Sequence, residues 1–367
     1  MRRTLLASLG VSLIALLGAC QGEPEGQTNA GTEAPADGAA APSPTPAAAT
    51  ARPETRAFRD WSVVCGNDGT CTAFGGMESG TGWLRIVMPA GPEAVPVVEM
   101  GMGMNAEILQ RTLTLDGRAY GLDVRDNVAR VAAERARALI AALAGARTAA
   151  IGTGEDTLEF SVSGVSAALL WIDERQGRLD TVTALIRKGD APAARVPAAP
   201  ALPIVTPAPA VAQTGMKEGT ALPDAVEAMA RVRECRGDTD FSPDFQSSTQ
   251  QYRLDADTVL WGVPCFMGTY NTGYLYALTD SAGASPRIVS LPTTGEAMET
   301  PINPDYDPAT RRLSAFGKGR GIGDCGTVHE WVWTARGFVL ARESEMERCF
   351  GVTPDLWPLT WDSRTPG

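Results

Sequence analysis

The chain has 367 residues, 44% apolar and 20% charged, enough for about two ordinary domains and unlike a disordered tail or a polytopic membrane protein. Lys and Arg number 32 against 43 Asp and Glu, a net charge of −11, so the basic footprint that nucleic-acid binding needs is missing. With His329 as the one histidine, sites built on two or more imidazoles, HExxH zinc sites included, are excluded.

Residues 1–20 carry Arg2 and Arg3, an apolar run from Leu5 to Leu17, and small residues just before Cys20. That pattern predicts a secretory signal, too short and too one-sided for a good transmembrane helix. The ending Leu17-Gly18-Ala19-Cys20 resembles the lipobox of bacterial lipoproteins. The resemblance implies cleavage before Cys20 and lipidation of that cysteine, and Gln21 next to it favours sorting to the outer membrane. Multiple acyl chains make such an anchor stable. From 21 to 56 the chain is mostly Ala, Pro, Gly, Thr and Glu with no aromatic residue, a composition that cannot pack a core and predicts a tether.

The first folded unit, 57–190, is expected to be α+β. A β-prone segment, 58–65, runs into a cysteine turn, and strands are expected over 83–88, 95–100 and 158–162. A helix is expected over 126–144: Asp126 can cap it, Val128, Val131, Ala132, Leu139 and Leu143 recur at helical spacing, and Gly145 is placed to stop it. A second helix is expected to start at Ser163, pass through Trp171 and end near Gly177.

A Pro/Ala-rich stretch, 191–214, reads as an interdomain linker, although Leu202-Pro203-Ile204-Val205 could dock on a neighbouring surface. The second unit, 215–367, opens with an expected helix over 223–235 and is then β in texture. Strands are expected over 259–265, 273–278, 287–291, 312–316, 327–334 and 338–343, with Ala335-Arg336-Gly337 closing a hairpin. The expectation is a mostly antiparallel β domain, either a sandwich or an open barrel.

Apart from Cys20 there are six cysteines, and an even number in an exported chain predicts disulfides. Cys65 and Cys71 bracket an Asn67-Asp68-Gly69 turn that can bring two strands face to face. Sequential pairing, Cys235 with Cys265 and Cys325 with Cys349, is expected for the rest. Metal or redox chemistry is the competing use of these thiols, but no CxxC is present.

Several phrases occur together: Phe58-x-x-Trp61-x-Val63-x-Cys65, Asp173-x-x-Gln176-Gly177-Arg178, Cys265-x-x-Gly268-x-Tyr270-Asn271, and Gly319-Arg320-Gly321-Ile322-Gly323-Asp324-Cys325-Gly326 followed by Trp331-x-Trp333. The set resembles the bacterial domain-of-unknown-function family number 1176, from Phe58 to Trp361. The first unit is also distantly similar to the invasion-associated locus B proteins, which share the opening segment. These resemblances imply an exported envelope protein and no established reaction.

The glycine-rich stretch is the strongest candidate site. Lys318 and Arg320 stand among glycines whose backbone N–H groups can converge on an anion. It is not a P-loop, because the glycines run into a cysteine and a strand instead of opening a helix. Its structural alternative is a loop fixed by an Arg320–Asp324 ion pair, with glycines supplying positive φ. His329 alternates with Trp331 and Trp333 on one strand face: exposed, that face would stack a sugar or a partner, whereas burial, the preferred expectation, makes it core. A serine triad would have to use His329, and no GxSxG elbow accompanies it.

Weaker signals have plain structural explanations. Asn303-x-Asp305-x-Asp307 lacks the EF-hand glycine and terminal glutamate and is expected to be a turn. Asp238 with Asp240 is a second carboxylate pair, Arg236-Gly237-Asp238 is a common tripeptide, and Met100, Met102 and Met104 are expected to pack in a core before they bind copper. The sequence therefore favours a non-catalytic lipoprotein that binds another envelope protein or a cell-wall component, is attached to the membrane through its lipid, and uses no cofactor or metal. A carboxylate-based enzyme acting on cell-wall glycan or peptide, an inhibitor of a cationic lysozyme favoured by the acidic charge, and a purely structural envelope protein are the alternatives.

Overall fold

The computed structural model describes residues 52–77, 80, 82–104, 107, 112–152, 157–237 and 242–366. The β-prone run around Trp61 forms a hairpin instead of one strand. Arg59 takes a left-handed φ of 55°, and β1 (Glu54–Phe58), which starts inside the expected tether, folds onto β2 (Trp61–Cys65). The chain continues through β3 (Cys71–Gly76), β4 (Gly82–Met88), β5 (Val97–Met102), β6 (Thr112–Leu115), β7 (Arg118–Gly121), β8 (Asp123–Arg125) and β9 (Val128–Arg130). It then forms α1 (Ala133–Gly145), β10 (Ala149–Ile151), β11 (Leu158–Phe160) and α2 (Val165–Arg175).

Seven strands make one antiparallel sheet in the order β1-β2-β3-β4-β5-β9-β8, and four make another, β11-β10-β6-β7. The helices cover one face of the larger sheet, where Ala136, Leu139 and Ile140 of α1 and Leu169 and Ile172 of α2 share a core with Trp61, Val63, Leu84, Ile86 and Met100. Adjacent residues on the same strands, Phe74 and Trp83, face the other way into a separate cluster with Met346, Val352 and Trp357. A sheet covered on both faces explains why every residue of β3 is buried.

The expected helix over 126–144 begins later than its periodicity suggested. Asp126 and Asn127, at φ 50° and 58°, form the two-residue turn of the β8–β9 hairpin, and Val128 pairs as a strand residue. Asp and Asn tolerate left-handed conformations, so the residues that resemble a helix cap serve here as a primed turn. Met100 lies in the core, fully buried, and Met102 packs beside it.

In the C-terminal half the expected helix over 223–235 is divided into α3 (Asp224–Glu227) and α4 (Ala230–Gly237), followed by α5 (Pro243–Gln246). Two antiparallel sheets come next. One contains β12 (Gln250–Arg253), β13 (Thr258–Met267), β14 (Thr272–Asp280) and β15 (Arg287–Ile288); the other contains β16 (Asp305–Asp307), β17 (Arg312–Lys318), β18 (Gly326–Thr334), β19 (Gly337–Met346) and β20 (Leu359–Asp362), each in sequence order. They share one core, with Leu260, Tyr276 and Leu278 from the first and Leu313, Trp331, Trp333 and Leu340 from the second. Mostly antiparallel sheets therefore dominate the fold, and neither C-terminal sheet closes into a barrel.

The stretch 191–214 is seated against the fold. Val196 and Val205 are buried, the Val205 N–H donates to the Arg364 carbonyl, the Arg364 N–H donates to the Pro203 carbonyl, and the Ala208 N–H reaches the Trp333 carbonyl at 2.8 Å. Proline has no N–H, so the segment donates through its non-proline residues Val205 and Ala208 and accepts at the Pro203 carbonyl. Disulfides join Cys65 to Cys71, Cys235 to Cys265 and Cys325 to Cys349. No helix among the described residues is long and apolar enough to cross a membrane.

The Asp173-x-x-Gln176-Gly177-Arg178 phrase is an internal clasp. Fully buried Asp173 accepts the N–H groups of Leu185 and Ile186 at 2.7 and 2.8 Å. Fully buried Arg178 donates to the Pro89 and Gly91 carbonyls and to Gln176 Oε1, while Gln176 Nε2 ties the Gly69 and Met88 carbonyls together. Burial pulls the Arg178 pKa down to about 10, leaving it charged at neutral pH. Arg178→Met keeps the bulk but strands these acceptors, and it should cost about 3–5 kcal/mol in urea unfolding. An unchanged midpoint would show that the clasp is dispensable.

Candidate functional site

The glycine-rich stretch connects β17 to β18 as a loop locked from inside. Asp324 has no solvent exposure; it takes both Arg320 Nε (2.6 Å) and Arg320 Nη2, and also the Gly351 N–H at 2.7 Å. Burial pushes its carboxyl up, but the hydrogen bonds from Arg320 and Gly351 outweigh that and hold it below the ordinary carboxylate range. Arg320 Nη2 also donates to the Cys349 carbonyl, and the Cys325–Cys349 disulfide joins the same two segments. Gly326, at φ 132°, would place a Cβ only 1.9 Å from the Gly317 carbonyl oxygen, so no larger residue fits where the loop re-enters the sheet.

A second phrase meets this loop. Asn271 Nδ2 donates to the Lys318 carbonyl at 2.9 Å, and Asn303 Nδ2 donates to Asn271 Oδ1 and to the Phe316 carbonyl. Asn303 Oδ1 accepts the Thr272 N–H at 2.8 Å. These amides seat the tip of the β13–β14 hairpin beside the loop, where the Tyr270 ring faces Gly321 and its hydroxyl lies 3.5 Å from the Gly319 carbonyl. Phe266, Tyr270 and Ile322 are 46%, 41% and 57% exposed on this base, beside the half-exposed Arg320. Lys318 stands 5.7 Å from the Phe316 ring centroid in a cation–π contact.

The other expected site residues lie elsewhere. Trp331 and Trp333 are buried in the sandwich core, with indole N–H groups donating to the Pro292 carbonyl and to Asp255. His329 stacks flat on Trp331, ring centroids 5.2 Å apart, with Nε2 3.4 Å from Glu343 Oε2. These three residues are core, and they do not join Lys318, Arg320 and Asp324 at the surface.

The weaker candidates also resolve into structure. Asp305–Asp307 is strand β16 and not the expected turn, because it pairs with Arg312–Ser314; the turn follows it, with Asp307 accepting the Ala309 N–H and the Thr310 hydroxyl, and Arg236 pairs with Glu227. Asp238 and Asp240 lie outside the described residues. Asp324, Cys325 and Cys349 bring ligand atoms within 4.8 Å of one another, but both sulfurs are in a disulfide and Arg320 occupies the carboxylate, which leaves a poor metal site.

Sequence reasoning missed Glu343. It is 5% exposed and accepts from the Thr294 N–H at 3.0 Å, the Thr294 hydroxyl and the Thr360 hydroxyl at 2.7 Å. It stands among Arg342, Ser344 and Glu345 in the polar second half of β19, so nothing local marks it, and its burial follows from β20 pairing beside it. Phe266 and Ile322 were also missed, although an isoleucine between two glycines is a short apolar tip by composition alone.

A family model described as "Protein of unknown function (DUF1176)" matches residues 55–364. The chain is 28% identical over 342 residues to the Uncharacterized protein YpfG of Escherichia coli (strain K12), an alignment covering 86% of this chain and 94% of that protein. No solved structure matches.

Burial raises the Glu343 carboxyl, but hydrogen bonds from His329, Thr294 and Thr360 outweigh this and bring it from its ordinary 4.5 to about 2. A carboxyl depressed in the folded state stabilises above its unfolded pKa and loses that contribution as pH falls through the folded value. The protein should therefore lose about 3 kcal/mol from this group between roughly pH 4.5 and 2. Thermal midpoints measured across that range should be flatter for Glu343→Gln, and parallel curves would contradict the assignment.

Proposed function

The chain belongs to the DUF1176 family of proteins of unknown function, and from that premise we propose that it is a non-catalytic binding module of the bacterial cell envelope. In this proposal it is exported and lipidated at Cys20, and an α+β domain and a β-sandwich domain form one binding head. The working face is the pair of loop tips carrying Phe266, Tyr270 and Ile322, and its occupant is an envelope protein. The carrying observation is that three large apolar side chains are each exposed where the end of β13, its hairpin tip and the glycine loop meet, a junction braced by Asn271, Asn303 and the Arg320–Asp324 pair. Exposed apolar groups cost solvation that a partner recovers, and loop residues held by a rigid scaffold are typical recognition elements. The net negative charge of the chain favours a cationic partner during encounter.

A photo-crosslinkable residue placed in living cells at position 270 or 322 should give one dominant protein adduct. The same probe at exposed Val182 should give none, and Ile322→Glu should reduce the adduct from position 270 about tenfold. Cys20→Ser should release the protein from the membrane fraction and abolish the adduct. Equal adduct patterns from all three positions would contradict a dedicated face.

A further inference from the structure

A polar cleft of about 340 Å³, away from the loop tips, lies between the start of β1, the 293–294 turn and strands β19 and β20. Its wall is built in advance. Thr294 and Thr360, which line it, are both fixed by Glu343, whose buried carboxylate accepts a hydrogen bond from each hydroxyl. Hydroxyls committed in this way have only oxygen lone pairs left to offer, so this part of the wall accepts and does not donate.

Among the described residues, two charges lining the cleft have no side-chain counterpart. Glu345 makes no side-chain hydrogen bond or ion pair among the described residues, and burial together with the neighbouring Glu347 and Glu343 charges pushes its carboxyl up, with His329 opposing. Arg52 also lines the cleft, and among the described residues its guanidinium pairs with neither Glu345 nor Glu54. Glu54 is instead engaged by Arg175 at 3.5 Å, and Arg175 also holds the Arg52 backbone carbonyl. A carboxylate and a guanidinium thus share one cleft without reaching each other. Arg52 is exposed at the cleft mouth and Glu345 is half-buried, so a ligand carrying both an ammonium and a carboxylate can pair with each at once, whereas a neutral sugar pairs with neither charge and a simple cation with Glu345 alone.

We propose that this cleft binds a small zwitterion of the amino-acid class. The ammonium donates to Glu345 and to the Thr294 and Thr360 oxygens, the carboxylate accepts from Arg52, and the Trp361 ring covers the aliphatic part. The site is independent of the loop tips, and each can fail without the other.

The test is calorimetric titration of the full-length protein with the twenty protein amino acids and D-alanine. At least one should bind with a Kd of about 1 mM or tighter. Its N-acetyl derivative, lacking the ammonium, and its carboxamide, lacking the carboxylate, should each bind at least about tenfold more weakly. Glu345→Gln and Arg52→Gln should each weaken the parent ligand by a similar factor, with thermal midpoints unchanged as a check on folding. No saturable heat from any amino acid would overturn the proposal, as would either derivative binding as well as its parent. Loss in Glu345→Gln with none in Arg52→Gln would overturn it in favour of a simple cation site.

Discussion

A carboxylate removed from water must be repaid in hydrogen bonds, and Asp324 is repaid from two segments at once: Arg320 on its own loop and the N–H of Gly351 across the disulfide. This fixes the course of the chain from Cys349 to Trp357. Along that course Phe350 packs over Gly76, Val352 and Trp357 cover Phe74 and Trp83, and the Leu356 carbonyl accepts from Arg85. The outer face of the seven-stranded sheet is thereby covered by the C-terminal half. Asn67 secures the other end of this contact by exchanging hydrogen bonds with the Asp362 backbone at 2.8 and 2.9 Å.

The same device recurs in the fold. Asp173 and Arg178, and Glu343 with Thr294 and Thr360, place buried charges where backbone or hydroxyl groups converge, and Glu99 is held between the Arg85 and Arg130 guanidiniums. Such groups contribute modest net stability but cost several kcal/mol when a partner is removed, so they define a single arrangement of the loops around them. Sequence phrases that look like ligand-binding motifs act here as internal fasteners, which leaves the exposed side chains between them free for recognition.

The cysteine pairs, the hairpin around Ala335 and Arg336 and strands β13, β14, β17, β18 and β19 were legible because turn chemistry and period-2 alternation are local signals. Val128 was not, since its spacing to Val131 and Leu139 fits a helix face equally well, and only pairing of β9 with distant β5 decides the matter. β16 and β20 are only three and four residues long, too short to show a period of their own, and they exist because neighbouring strands supply a ladder. At the candidate face, Arg320 with Asp324 could be anticipated as a local ion pair. The Gly351 N–H, Asn303 and the exposed tip at Phe266 come from distant parts of the chain, and no local pattern encodes their approach.

The buried Asp324 carboxylate holds the 349–357 segment against the seven-stranded sheet and so couples the two halves of the fold, a coupling that differential scanning calorimetry of Asp324→Asn beside the wild type measures. The substitution preserves shape but removes the charge that pairs with Arg320. One cooperative transition is expected for the wild type and two for the variant, with the C-terminal half melting first. Superimposable traces would show that Asp324 merely decorates a loop, and that the two halves are held together without it.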